Sequence, residues 1–176
     1  MSIAKILHSL RNHSENSSRH DTDTVRKIVR ALDQMEPQQA HYTAAYAYIL
    51  ARVANADMNI SEAETQEMEI LVRQLSGLPE EQAILVVQIA KTQTVLFGGT
   101  ENFLVTEEFN RMATEEQKMS LLNCLFAVAA ADNSISGVED REIRLISDEL
   151  QLRHDQYIDV RLQYRKYLSV LNTSSG

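Results

Sequence analysis

The chain has 176 residues, 44% hydrophobic and 24% charged, which is enough for one globular domain with a core and short for two. Five Gly, two Pro and 6% aromatic residues are few for a sheet-rich fold, which needs many turns. A formal net charge of −8 repels phosphate backbones, so the composition argues against nucleic acid as a partner.

The sequence also carries signals about the cellular compartment. Cys124 is the single cysteine, which excludes an internal disulfide and favours a reducing compartment. The first residues, MSIAKILHSLRN, contain an apolar stretch that is too short and broken for a signal peptide. No run approaches the roughly 18 apolar residues of a membrane span. We therefore expect a cytoplasmic protein.

The N-terminal region, residues 1–37, is predicted to differ from the rest of the chain. A short amphipathic helix within residues 1–10 precedes the polar stretch RNHSENSSRHDTDT, which is typical of a linker or loop because it has nothing to bury. A helix then runs through TVRKIVRALDQM and is followed by Pro37.

The main domain, residues 38–171, shows apolar residues at helical spacing in almost every segment. The predicted helices cover residues 38–56, 61–76, 80–93, 104–112 and 115–131, one that begins at 136, and 155–171. The stretch FGGTEN (97–102) is predicted to be a loop, and residues 172–176 form a polar tail. We predict an all-α, single globular domain of seven to nine helices without strands.

Two stretches of the chain repeat each other without a gap at an offset of 75 residues. ANADMNISEAETQEMEIL (54–71) and AAADNSISGVEDREIRLI (129–146) match at Asp57/Asp132, Ile60/Ile135, Ser61/Ser136, Glu64/Glu139 and Glu67/Glu142. This predicts two helix–turn–helix repeats, at about 41–76 and 116–151. Since solenoids usually need three or more repeats, we expect a globular pair with approximate two-fold symmetry.

The repeat places an Asp and a Glu at the core-facing edge of each turn. Asp57 lies four residues beyond Val53 on the apolar side of its helix, and Glu64 heads the apolar side of the next. Asp132 and Glu139 hold the same places in the second copy. Two interpretations of these four carboxylates remain open.

In the first interpretation the repeated residues are helix caps. Ser61-x-x-Glu64 and Ser136-x-x-Glu139 both have capping-box form, in which the Ser oxygen accepts a free helix N–H and the Glu reaches back. The two Asp side chains can accept backbone N–H groups in the turns. This interpretation requires no ligand.

In the second interpretation the acids Asp57, Glu64, Asp132 and Glu139 bind a divalent cation of the Ca²⁺ or Mg²⁺ class, because these ions prefer oxygen ligands. Glu67 and Glu142 are outer candidates, since each lies three residues further along the same helix face. The sequence DMNISEAE lacks the ladder of an EF-hand, so a calcium loop of that type is not predicted. Caps and a cation site can coexist.

The motifs VANADMNISEAE and VAAADNSISGVE resemble the TerB family of bacterial tellurite-resistance proteins and the related domain of some membrane-anchored DnaJ-like co-chaperones. The family pattern is an Ala-rich helix, an Asp-Gly turn, an Ile or Val with a Ser or Thr, and a Glu that opens the next helix. The resemblance covers residues 38–171. It implies a small cytoplasmic helical protein of bacterial stress response that works in complexes near the membrane.

The resemblance also implies a role for the acidic turn residues, which in this family are suspected of chelating a metal. By motif position these are Asp57, Glu64, Asp132 and Glu139. The family's usual Gly after the Asp is Met58 in the first copy and Asn133 in the second. Asn tolerates a left-handed backbone better than Met. We therefore expect the first turn to differ in shape, which weakens the metal assignment most at Asp57.

Other chemistry-bearing residues have simpler interpretations. Cys124 lies on an apolar stripe and is predicted to be a buried, unreactive thiol. His8, His13 and His20 have no fixed ligand spacing and are predicted to be solvated. The last helix carries an apolar side that favours core packing or a homodimer seam, formed by Tyr157, Val160, Tyr164, Leu168 and Leu171.

From these features we predict a non-enzymatic interaction or sensing module, with or without a cation, that binds protein partners in a stress-response complex. The alternatives are a metal-dependent enzyme that uses the clustered carboxylates, and a pure scaffold whose acids are only caps. An enzyme would also need a ligand near the turns, for which His41 and His154 are distant options. In an enzyme the acids should line an open cavity, whereas acids that act as caps should accept backbone N–H groups.

Overall fold

The computed structural model of the chain describes residues 27–54, 62–92 and 99–172. Within these ranges the chain forms nine α-helices, a 3-10 turn at Arg165–Tyr167 and no strand beyond one isolated bridge. The helices are α1 (27–33), α2 (Pro37–Ala54), α3 (Glu62–Leu75), α4 (Glu80–Thr92), α5 (Gly99–Met112), α6 (Glu115–Ala129), α7 (Gly137–Glu149), α8 (His154–Gln163) and α9 (Ser169–Asn172). The predicted all-α class is confirmed.

Several predictions fall outside the described residues. These include the first helix, the polar stretch with His8, His13 and His20, the turn of the first repeat copy and the tail 173–176. The boundary at residue 37 and the approximate two-fold symmetry stay predictions. The second copy does form a helix–turn–helix unit, which consists of α6, a turn and α7.

Helix α2 lies at the centre of the fold. It packs against α4, α5, α6 and α7, and eleven of its 18 residues are buried. A helix that is buried on several sides must be apolar around most of its circumference. The α2 sequence PQQAHYTAAYAYILARVA meets this requirement with alanines, whose small side chains let neighbouring helices approach.

The two repeat copies contact each other through their central helices and cross over. α2 and α6, the first helices of the two copies, pack together, while α3 packs on α6 and α7 packs on α2. A polar contact supports the crossing, because the Ser120 hydroxyl of α6 donates to the Leu75 carbonyl at the end of α3. The second helix of each copy is therefore held by the first helix of the other.

The predicted loop FGGTEN is wrong from Gly99 onward, since α5 begins at that residue. Glycine is tolerated at a helix start because the first N–H groups have no intrahelical acceptor to lose. Packing further along the helix sustains it: Val105 and Phe109 are fully buried, and the Phe109 ring lies 5.0 Å from that of Tyr42 on α2.

The single final helix predicted over 155–171 is also wrong, because it is interrupted between α8 and α9. Leu168 is extended and pairs with Ile135 in a parallel bridge. Ile135 N–H donates to the Tyr167 carbonyl at 2.7 Å, and Ser169 N–H donates to the Ile135 carbonyl at 3.0 Å. The turn of the second copy therefore forms hydrogen bonds with backbone groups of the final segment that a continuous helix would bond within itself.

The apolar side of this final segment packs into the core at most of its positions. Tyr157, Val160 and Leu168 are buried, and Tyr164 is partly buried against the same cluster. Leu171 is 44% exposed. The prediction of core packing is confirmed for all of these residues except the last.

Candidate functional site

Asp132 and Glu139 lie in the turn after α6 and in the first turn of α7. Asn133 has a φ of 68°, a left-handed conformation that Asn tolerates better than most residues. Its N–H donates to the Ala130 carbonyl at 2.9 Å, which closes the turn. Asp132 is exposed, and its Oδ1 accepts the N–H of Ser134 at 2.9 Å. The carboxylate of Asp132 therefore stabilises the turn it belongs to.

The capping box predicted at the start of α7 is formed. The Ser136 hydroxyl accepts the Glu139 N–H at 3.2 Å, and Glu139 Oε2 accepts the Ser136 N–H at 2.8 Å. The same arrangement occurs at Thr114 and Gln117 before α6. Each cap satisfies backbone donors that have no acceptor within the helix.

Most acids of the first copy lie outside the described residues. Asp57, Ser61 and the Glu64 side chain lie outside the described residues, and Glu67 is exposed on α3. Among the described residues, no three His, Cys, Asp or Glu side chains meet in a way that could hold a metal ion.

The second-copy turn therefore fits a cation only in part. It offers two carboxylates, and each already has one oxygen on a backbone N–H group. Their oxygens are of the type that Ca²⁺ and Mg²⁺ prefer, but such ions take six or more ligands. A complete site would need ligands from beyond this turn.

Glu142, an outer metal candidate in the sequence, is engaged by a buried arginine. Its Oε1 accepts Nε–H of Arg52 at 2.8 Å, while Nη1 of Arg52 donates to Glu149 at 2.7 Å and to Thr106 at 2.7 Å. The Arg52 side chain is only 4% exposed. Three helices, α2, α5 and α7, are therefore joined at one guanidinium.

Sequence reasoning missed Arg52. One signal was available, because the repeat places Ala127 at the equivalent position of the second copy. A charged residue at an otherwise small, buried position needs partners, since burying an unpaired charge is costly. The identity of those partners depends on tertiary packing.

Cys124 is fully buried, which confirms the burial predicted from its apolar stripe. Burial raises the pKa of this thiol to about 11, and the Tyr46 hydroxyl beside it acts weakly in the opposite direction. Because the thiolate is the reactive form, a raised pKa suppresses nucleophilic chemistry near neutral pH.

The two other predicted options, His41 and His154, line different cavities. His41 lies beside Leu32 and Met35 in a cavity of about 200 Å³. His154 begins α8, and its ring lies 6.3 Å from that of Tyr157. Both cavities are lined mainly by residues outside the repeated turn.

The chain matches a known protein family. The family model described as "Tellurite resistance protein TerB" matches residues 43–162, which is more than half of the chain and spans both repeated turns. No curated protein and no solved structure matches the chain. Within the described residues, no helix is both long and apolar enough to cross a membrane.

Proposed function

Because the chain belongs to the TerB family of tellurite resistance proteins, we propose that it is a non-enzymatic interaction or sensing module associated with tellurite resistance. Its partners are proteins of a stress-response complex. A divalent cation is held by the acidic turns, and its binding stabilises the helical domain.

The observation that carries this proposal is the bonding of the second-copy acids. Asp132 and Glu139 each accept a backbone N–H of their own turn, at 2.9 and 2.8 Å. Carboxylates that act in catalysis are expected to face substrate in a cavity, whereas these two order the backbone. The arrangement favours a role in shape and binding over a role in chemistry.

The contacts between helices support a rigid module. Arg52 joins α2 to α7 through Glu142 and Glu149, and α9 is tied to the turn through the Ile135–Leu168 bridge. A rigid body preserves the arrangement of surface residues that a partner recognises. Val138 and Leu145 lie two turns apart on one face of α7 and are 60% and 48% exposed. This α7 face is the surface we propose for partner contact.

We assign the cation ligands to the four repeated acids Asp57, Glu64, Asp132 and Glu139. The cation is of the Ca²⁺ or Mg²⁺ class, because all four ligands are carboxylates. The second-copy pair is compatible with this role in part, since Asp132 is exposed. The first-copy ligands complete the site.

Thermal unfolding tests the cation part. The native protein is measured with EDTA, Mg²⁺, Ca²⁺, Mn²⁺ or Zn²⁺, beside the double variant Asp132→Asn, Glu139→Gln. Amide oxygens can still accept the turn N–H groups, so the variant preserves the caps and removes the charges. A cation at about a hundredfold over its dissociation constant should add about 2.7 kcal/mol, several degrees in Tm, in the native protein alone.

Ser136→Ala is the matched control, because it removes a cap and leaves both carboxylates in place. It should lower Tm and keep the cation response. If no cation raises the Tm of the native protein, the acids are caps only and the cation part of the proposal is wrong.

Affinity capture tests the interaction part. The native chain and the variant Val138→Ser, Leu145→Ser are used as bait in lysates of cells exposed to tellurite. Proteins retained by the native chain and lost with the variant support the α7 face. Ile70→Ser is the control, since Ile70 is 52% exposed on α3. Equal capture by all baits would contradict the assignment of this face.

A further inference from the structure

A cleft of about 410 Å³ lies between α7 and α8, beside the start of α9. This volume is within the range of small-molecule sites and is larger than a bare inorganic anion requires. Ile158 and Val170 supply apolar wall, and the Tyr157 ring, 6% exposed, supplies another. α9 is held in place by the backbone bridge to Ile135, so the wall formed by Val170 is fixed by the fold.

The lining of this cleft is cationic, although the chain as a whole is acidic. It contains three arginines, Arg141, Arg144 and Arg161, against one carboxylate, Asp140. With His154 neutral, its net formal charge is +2, whereas the chain carries −8. Low-dielectric walls around a concentrated charge focus the field and attract counter-ions.

The single carboxylate of the cleft is already neutralised. Asp140 accepts Nε–H and Nη2–H of Arg161 at 2.8 and 2.7 Å, in a bidentate pair, and the Tyr157 hydroxyl lies 3.3 Å from it. Hydrogen bonding to Asp140 raises the pKa of Arg161, which keeps this arginine charged. This pair fixes the orientation of Arg161, and both oxygens of Asp140 accept hydrogen bonds from it.

Arg141 and Arg144 differ from Arg161, because no hydrogen bond or ion pair joins either of them to another described residue. The acids on the neighbouring helix turns either pair with a different arginine or are exposed to solvent. Asp155 pairs with Arg153, and Asp148 and Asp159 are exposed. Two exposed guanidinium groups, neither bonded to another described residue, therefore border one cleft.

We propose that this cleft binds a small, doubly charged oxyanion of the phosphate class, carried on an organic group that rests against Ile158 and Val170. Arg141 and Arg144 bind the oxyanion through paired N–H donors, since the planar guanidinium matches the geometry of such oxygens. Arg161 adds positive charge from a fixed position. The organic group accounts for the volume that the oxyanion leaves empty.

The test uses isothermal titration of the full chain at low ionic strength. The probes are phenyl phosphate, inorganic phosphate and sodium tellurite, which separate an organic phosphate from a bare oxyanion. We expect phenyl phosphate to bind most tightly, because it also fills the apolar part of the cleft. The double variant Arg141→Gln, Arg144→Gln should raise its dissociation constant by about tenfold or more.

Arg30→Gln is the matched control, because Arg30 is exposed on α1 and does not line the cleft. It should leave the dissociation constant unchanged within about twofold, since it is a remote surface charge. Neither arginine of the double variant is joined by a hydrogen bond or ion pair to another described residue, so its Tm should equal that of the native protein. An unchanged Tm would exclude misfolding as the cause of lost binding.

Each outcome decides the proposal. Tellurite or inorganic phosphate that binds more tightly than phenyl phosphate would overturn the assignment of an organic ligand. Failure of all three probes to bind at millimolar concentration would overturn the proposal. Binding that is equal in the native protein and the double variant would also overturn it.

Discussion

The Arg52 guanidinium lies 2.8 Å from the carboxylate of Glu142, ninety residues further along the chain. Glu149 and Thr106 complete its surroundings at 2.7 Å each. The three helices involved belong to both repeat copies and to the segment between them. The pairing therefore fixes how the copies sit together, and it occupies an acid that the sequence assigns to a metal site.

Arg52→Met should destabilise the protein by about 3 kcal/mol, because it leaves two partly buried carboxylates without their cation. Denaturant unfolding measures this change. Arg111→Met is the control, since Arg111 pairs with Glu107 on the surface at 71% and 39% exposure, and should cost under about 1 kcal/mol.

A compensating variant sharpens the test of Arg52. In Arg52→Met, Glu142→Gln, Glu149→Gln the unpaired charges are absent, so most of the lost stability should return. If the triple variant is no more stable than Arg52→Met, the cost comes from lost packing around the arginine side chain and not from uncompensated charge.

Substitution at Asn133 should depend on tolerance of its positive φ of 68°. Asn133→Met should cost about 1 kcal/mol or more, because a left-handed backbone is unfavourable for most side chains. Asn133→Gly should be neutral or slightly stabilising. Thermal unfolding of the two variants compares them, and an equal loss in both would mean that the Asn side chain, not the backbone, is what matters.

Stability should fall in mildly alkaline solution because of Cys124. The pKa of this thiol is about 11 in the folded chain, against an ordinary value of 9.0. A raised folded pKa contributes stability below pH 9 that is lost as the pH rises through 11. Between pH 8 and 10 the Tm of Cys124→Ala should therefore fall less than that of the native protein.

The scan stops at pH 10 because burial also raises the pKa of Tyr42 and Tyr157 from 10.0 to about 12. Above pH 10 the stability that these two buried tyrosines contribute to the folded chain is lost as well. Alkylation gives an independent readout. Iodoacetamide at pH 8 should modify Cys124 at least about tenfold more slowly in the folded than in the unfolded protein. Equal rates would mean that the thiol is accessible.

Much of the local structure was predictable from residues close together in the chain. The capping box at Ser136 and Glu139 and the apolar side of α6 both follow from patterns within a few residues. These features depend on backbone hydrogen bonds and side-chain periodicity that span at most about one or two helical turns. The repeat added the helix–turn–helix organisation of the second copy.

The tertiary structure decided the features that join distant parts of the chain. The interruption before α9 depends on the bridge between Leu168 and Ile135, and the start of α5 at Gly99 depends on packing of Phe109 against α2. No local pattern predicts that Arg141, Arg144 and Arg161 border one cleft, or that Arg52 finds Glu142. Such pairings arise only when packing of the apolar faces brings separate helices together, because that packing sets which polar side chains meet.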